Sequence, residues 1–195
     1  MNGSNIAGGN PERGRVENDY YATAPKDTQA FLDVIKSEYD LNGKAVLEPA
    51  GGEGHIVRVL NDNYPNSNVV STDLIDRGSD LVIGGVDFLK SRFRHYDYII
   101  TNPPFNIAKD FVDKSLQVAD VSFIFAKLQL LEGKSRKDWF KDVPLKYVYV
   151  YSYRASPWRN GEEFDENGKR WASTMAFAWY VFDNNYSGEP IIRWI

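Results

Sequence analysis

Ala45-Val46-Leu47-Glu48-Pro49-Ala50-Gly51-Gly52-Glu53-Gly54-His55 is the stretch that decides the fold. Three apolar residues make a short buried strand ending on an acid. Pro49 to Gly54 then reads as a tight turn, and helical spacing resumes through His55, Ile56, Val59 and Leu60. Glycines in such a turn let a ligand come close to the backbone. Strand, glycine turn and helix in that order open a parallel α/β layer, whose ligands gather at the carboxyl ends of the strands.

Downstream, Val69-Val70-Ser71-Thr72-Asp73 is a second strand ending in an acid. Residues 76–85 are too short and glycine-rich for a crossover helix, so a loop with a scrap of strand at Leu81 to Ile83 is expected before Asp87-Phe88. Tyr96 to Thr101 and Val121 to Ala126 read as strands, with an amphipathic helix at Asp110 to Val118 between them. A short helix is expected at Arg136 to Phe140, an alternating strand at Tyr147 to Tyr153 and an apolar-aromatic strand at Met175 to Phe182. Upstream, Ala30, Phe31, Val34 and Ile35 mark a helix over Thr28 to Glu38, capped by Asp27 or Thr28, and Asn42-Gly43 is a turn. Asn61 to Asn68 is punctuation. The pattern predicts a Rossmann-like α/β domain over residues 20–195. Its mostly parallel central sheet has an antiparallel closing strand and helices on both faces. Residues 1–19, rich in Gly, Asn and charge, read as a flexible tail with no signal-peptide pattern.

At 195 residues with 43% hydrophobic content, one sizeable core is affordable, and no segment has the apolar length needed to cross a bilayer. With no cysteine and only His55 and His95, nothing suggests a metal site, and the composition suits a cytoplasmic protein. A net charge of −4 argues weakly against indiscriminate phosphate binding. Residues 134–170 are nonetheless basic, with nine Lys/Arg against six Asp/Glu.

Asn102-Pro103-Pro104-Phe105 follows the strand at Tyr96 to Thr101. Two prolines remove two N–H donors and force the chain out of the sheet, leaving rigid, free carbonyls. An amide side chain, a free carbonyl and an aromatic face are thus grouped for a flat NH2-bearing group. Three acids, Glu48, Asp73 and Asp87, end or follow strands at the same end of the layer. Asp73, 25 residues after Glu48, has a spacing that suits ribose hydroxyls. A dinucleotide fits poorly, because the turn lacks the third fingerprint glycine and Glu53 would repel phosphate.

With these residues in order, the chain resembles the class I S-adenosylmethionine-dependent methyltransferases, and the NPPF tetrad resembles that of the adenine-N6 type. The whole is similar to short enzymes encoded by phages and prophages, which act in the host cytoplasm. The resemblance implies that Glu48, Ala50, Gly52 and Gly54 face the methionine part of S-adenosyl-L-methionine. It implies Asp73 on the ribose, Leu74 against the cofactor's adenine, and Asp87 on its amino group beside Phe88. Tyr20-Tyr21-Ala22-Thr23-Ala24-Pro25 resembles the family's N-terminal motif, placing Tyr21 and Thr23 at the cofactor, although the family more often has Thr-Pro adjacent. Asn102, Pro103, Pro104 and Phe105 would hold a flipped or unpaired adenine, DNA before RNA. Asn102 would also touch the cofactor.

The similar tetrad NPPY serves glutamine methylation in proteins, and a silent cofactor-binding subunit is a further alternative. Tyr147, Tyr149, Tyr151 and Tyr153 share a strand face, for which sheet packing is favoured over a base-stacking platform. Residues 154–172, with Trp158, Arg159, Lys169 and Arg170, would form a substrate-contacting loop. So few residues remain for target recognition that sequence specificity is expected to be relaxed, or to be supplied by a partner or a second copy.

Overall fold

The structure is a computed structural model that describes residues 20–195; the tail read at 1–19 lies outside the described residues. In chain order the elements are β1 (Tyr21–Ala22), α1 (Pro25–Ile35), β2 (Ala45–Glu48), α2 (His55–Asn63), β3 (Asn68–Ser71), β4 (Tyr96–Thr101), α3 (Ala108–Val118), β5 (Ala119–Lys127), α4 (Lys134–Asp142), β6 (Leu145–Val150), β7 (Trp158–Arg159), β8 (Phe177–Asp183) and β9 (Ile191–Trp194). Seven strands form one sheet in the order β3-β2-β4-β5-β8-β6-β9. Every neighbouring pair is parallel except those made by β8, which runs against both β5 and β6.

The one reversed strand lies inside the sheet instead of closing it. Every residue of β8 is buried, as expected for a strand covered on both faces and flanked on both edges. Phe31, Leu32 and Ile35 of α1 and Ile56, Val59 and Leu60 of α2 pack on one face, against Phe123, Phe125, Tyr149 and Trp179. Phe111 and Val112 of α3 pack on the other, against Ile99, Ile124, Tyr180 and Phe182. Among the described residues no helix is long and apolar enough to cross a membrane.

Most element boundaries lie one to three residues from the sequence expectation, and two of the shifts have a clear local reason. Helix α1 starts at Pro25, since proline suits the first helical position, and its cap is Ala24. Asp27, expected as a cap, is instead a buried first-turn residue that accepts from the Tyr153 hydroxyl at 2.7 Å. Helix α2 runs on to Asn63, whose amide donates back to the Val59 carbonyl at 2.8 Å. Strand β9 had no strand signal strong enough to separate it from the preceding loop. It pairs parallel with β6 at the sheet edge and leaves Trp194 70% exposed.

Three of the four tyrosines settle as core packing, whereas Tyr153 lies beyond β6 and is exposed. Tyr147, Tyr149 and Tyr151 are buried, and their hydroxyls reach Glu38, Arg193 and the Asp27 carbonyl. The polar segment after β6 folds back on the start of the domain. Its strand β7 pairs antiparallel with β1, Tyr21 facing Arg159 and Ala22 facing Trp158.

Candidate active site

The glycine turn leaves β2 and wraps the carboxyl end of β3. Gly52 and Gly54 adopt positive φ, 56° and 89°, a conformation that disfavours other residues. A side chain at Gly52 would also drive into the Tyr20 ring. The Gly52 N–H donates to Asp73 Oδ2 at 2.8 Å, and the Ile75 N–H to Asp73 Oδ1 at 2.8 Å. Both carboxylate oxygens are thus pinned by backbone amides, and each retains a lone pair for a ligand hydroxyl. Asp87 is held differently. Its Oδ1 accepts the Leu89 N–H at 3.1 Å, and its Oδ2 pairs with the Lys90 ammonium at 3.0 Å. The hydrogen bond from Lys90 holds this carboxyl below the usual carboxylate range.

At the end of β4 the Asn102 amide nitrogen donates to the Tyr21 carbonyl at 2.6 Å. A carbonyl only accepts, so this bond fixes the amide's orientation and leaves Oδ1 as the free end. That Oδ1 is buried and has no hydrogen-bond partner among the described residues. Phe105 stacks on the Tyr21 ring with centroids 5.6 Å apart, near Phe177, and the Lys127 ammonium lies 4.5 Å from its centroid.

One cleft, partly open to solvent, joins these parts. Tyr21, Thr23, Glu48, Ala50, Asp73, Leu74, Asp87, Phe88, Asn102 and Pro104 line it. Gly52 and Gly54 shape its turn without lining it, and Pro103 and Phe105 lie outside the lining. Sequence reasoning missed Tyr20, His55, Arg77, Ile107 and Phe111 in the wall. Tyr20 opens the N-terminal motif and His55 closes the glycine-turn stretch, so membership of those segments was the available signal. Tyr20 accepts the Glu53 N–H at 3.2 Å, and the Arg77 guanidinium lies over its ring at 3.9 Å, a loop contact that no pattern announced. Burial and the adjacent Glu53 push the Tyr20 hydroxyl up to about 12.

Glu48 is 1% exposed, and its Oε2 accepts from the Ser71 hydroxyl at 3.1 Å. Burial pushes its carboxyl up to about 8, opposed by the Ser71 and Val57 hydrogen bonds and assisted by Asp73. The folded protein therefore binds this proton more tightly than the unfolded chain does. The resulting stability is complete below the ordinary carboxyl range of about 4.5 and is lost as pH rises through about 8. In Glu48→Gln the site is neutral throughout. Thermal melts near pH 5 and near pH 8.5 should show wild type losing ground to the variant at the higher pH. A constant difference between the two would mean that Glu48 is not the buried acid.

No protein-family model matches the chain, and no curated protein matches it in sequence. Many solved structures share its fold. A Pyrococcus horikoshii protein provisionally described as an RNA methyltransferase superposes with a TM-score of 0.64 at 15% identity, over 87% of this chain and 89% of its own. A Listeria monocytogenes protein provisionally described as a class I S-adenosylmethionine-dependent methyltransferase reaches 0.66 at 10% identity, over 94% and 68%. The fold is that of the class I methyltransferases. The 23S rRNA methyltransferase ErmE shows it too, with a TM-score of 0.53 at 16% identity over 88% of this chain and 71% of its own. Within the class I methyltransferase fold, the cleft occupies the carboxyl ends of β2, β3 and β4, where an open α/β sheet takes its ligands.

Proposed function

We propose that the chain is an S-adenosylmethionine-dependent methyltransferase acting on the exocyclic N6 of adenine in nucleic acid, with DNA preferred. The observation that carries this reading is the buried, unpartnered Asn102 Oδ1 in the cleft wall, with its amide locked by the Tyr21 carbonyl. An orphaned acceptor beside a rigid Pro-Pro turn awaits an N–H donor.

The cleft suits S-adenosylmethionine. Its acids disfavour a phosphate, and its apolar end, formed by Val86, Phe88, Ile107 and Phe111, suits an adenine ring. In this reading Asp73 takes the ribose hydroxyls, and Leu74, Asp87 and Phe88 surround the adenine. Tyr21, Thr23, Glu48, Ala50, Gly52 and Gly54 enclose the methionine part. When bound, the cofactor supplies an electrophilic methyl group on sulfur. The Asn102 oxygen and the Pro103 carbonyl accept the two N–H bonds of the target amine. That turns its lone pair towards the methyl group and stabilises the developing positive charge on nitrogen. No strong base is required, because the amine becomes acidic on methylation. Phe105, Tyr21 and Phe177 offer the aromatic wall for a base that has left the stack.

Nucleic acid is favoured over protein by Phe105 in place of tyrosine and by the RNA substrates named for two of the structures above. The segment 154–172 would contact the substrate, with specificity relaxed or supplied by a partner or a second copy. Incubation with tritiated cofactor and a panel of DNA, RNA and protein, followed by nucleoside and amino-acid analysis, tests the reading. Label in N6-methyladenine of DNA is expected. Label in RNA moves the substrate, and label in glutamine or in no macromolecule overturns the proposal.

A further inference from the structure

The carboxyl end of β5 opens a strongly basic run beside the tetrad. Between residues 127 and 137, Lys127, Lys134, Arg136 and Lys137 stand against a single acid, Glu132, in a chain whose net charge is −4. The segment 154–172 holds four Lys/Arg, but four acids match them, and Arg170 pairs with Glu163 at 3.0 Å. A polyanion approaching an acidic protein is drawn to a locally positive face, which is the first run and not the second.

The fold carries this run to the site. Lys127 is the last residue of β5, half-buried, and its ammonium lies 4.5 Å from the Phe105 ring centroid. A turn at Leu128–Leu131 then leads into α4. The Arg136 guanidinium donates to the Gln129 carbonyl at 2.5 Å and to the Glu132 carbonyl at 3.3 Å, which fastens the start of α4 to the turn after β5. On its other side Trp139 Nε1 donates to Asp113 of α3 at 2.7 Å, and α3 is the helix that follows the tetrad. Both anchors of α4 thus belong to the segments that follow β4 and β5 out of the sheet.

Helix stability does not account for these cations. Lys134, Arg136 and Lys137 open α4, whose first turn has no acid, and positive charge there opposes the helix dipole. Arg136 is occupied by its two carbonyls. Lys134 and Lys137 are exposed, three residues apart on one face, and make no ion pair among the described residues. Nearby Lys109 and Lys141 do, with Asp113 at 2.6 Å and Asp138 at 2.7 Å.

We infer that Lys127, Lys134 and Lys137 form a ledge for the sugar–phosphate backbone of the nucleic acid, which runs along α4 while the target base turns towards Phe105 and Asn102. The inference rests on the proposed function. It assigns the backbone to a face outside the segment 154–172, whose balanced charge suits contacts to bases.

The test is fluorescence anisotropy of the full chain with a labelled single-stranded, adenine-containing DNA oligonucleotide over a series of salt concentrations. Calorimetry measures cofactor affinity beside it. In Lys134→Gln/Lys137→Gln the slope of log affinity against log salt should flatten by about 1.4, since each neutralised phosphate contributes about 0.7 on a single strand. Oligonucleotide affinity at low salt should fall about tenfold or more, with S-adenosylmethionine affinity within about twofold of wild type. Adding Lys127→Gln should flatten the slope by about 0.7 more, and Lys127→Arg alone should leave it unchanged. Lys44→Gln/Arg94→Gln removes the same charge just ahead of β2 and β4, at the opposite edge of the sheet, and should leave the slope alone. An equal change in that control would show a net-charge effect and overturn the inference. So would an unchanged slope in Lys134→Gln/Lys137→Gln, or cofactor affinity lost together with the oligonucleotide, each leaving the proposed function standing. Wild type that binds no nucleic acid at any salt overturns the proposed function and this inference together.

Discussion

Asn102→Ala should lower the rate of methyl transfer by roughly 10²–10³-fold or more, the scale set by removing one positioned acceptor or donor from a transition state. Cofactor affinity should stay within a few-fold. The substitution removes the unpartnered Oδ1 and also the bond to the Tyr21 carbonyl. Asp73, Leu74, Asp87 and Phe88 stay in the cleft wall untouched. Asn102→Asp separates the two contributions. It keeps an acceptor in the cleft but sets an oxygen against the Tyr21 carbonyl, so the brace turns repulsive. Activity between wild type and Asn102→Ala is expected for it. Single-turnover tritium transfer and cofactor titration make both measurements, and wild-type-like turnover by Asn102→Ala would refute the proposed role.

Asp73→Asn should be nearly as damaging to cofactor binding as Asp73→Ala, although aspartate and asparagine have the same shape. Both carboxylate oxygens accept a backbone N–H, from Gly52 and from Ile75. An amide offers one oxygen, and its NH2 end would face a donor. One buried N–H therefore loses its partner, at about 1–3 kcal/mol, and the glycine turn loses one of its two anchors. Cofactor affinity should fall by about tenfold to a hundredfold, since about 1.4 kcal/mol corresponds to a factor of ten. Titration of both variants decides the point. An asparagine variant that binds like wild type would show that only one oxygen matters.

The sequence announced the parallel half of the fold clearly, because β2 ends at Glu48, while β3 and β4 end just before Asp73 and Asn102, all three chemically marked residues. The alternating and apolar runs at Tyr147 and Met175 gave two strands, but not which would lie inside the sheet. That choice depends on burial across both faces of Phe177–Asp183, a tertiary fact. Strand β9 was silent, because Ile191-Ile192-Arg193-Trp194 is a short edge strand with mostly exposed residues. In the cleft, residues carried by motifs were readable, whereas Arg77 was not. Its place over Tyr20 comes from a loop bending back on the chain.

The ribbon of β1 and β7 has a consequence for how the molecule fails. Tyr20 and Tyr21 lie outside the main sheet, yet one braces the glycine turn and the other braces Asn102. A protease nick between Tyr21 and Pro25 would leave the seven-stranded scaffold standing while both halves of the cleft lost their shared strut. Amide exchange in that ribbon would then report competence for chemistry separately from integrity of the core.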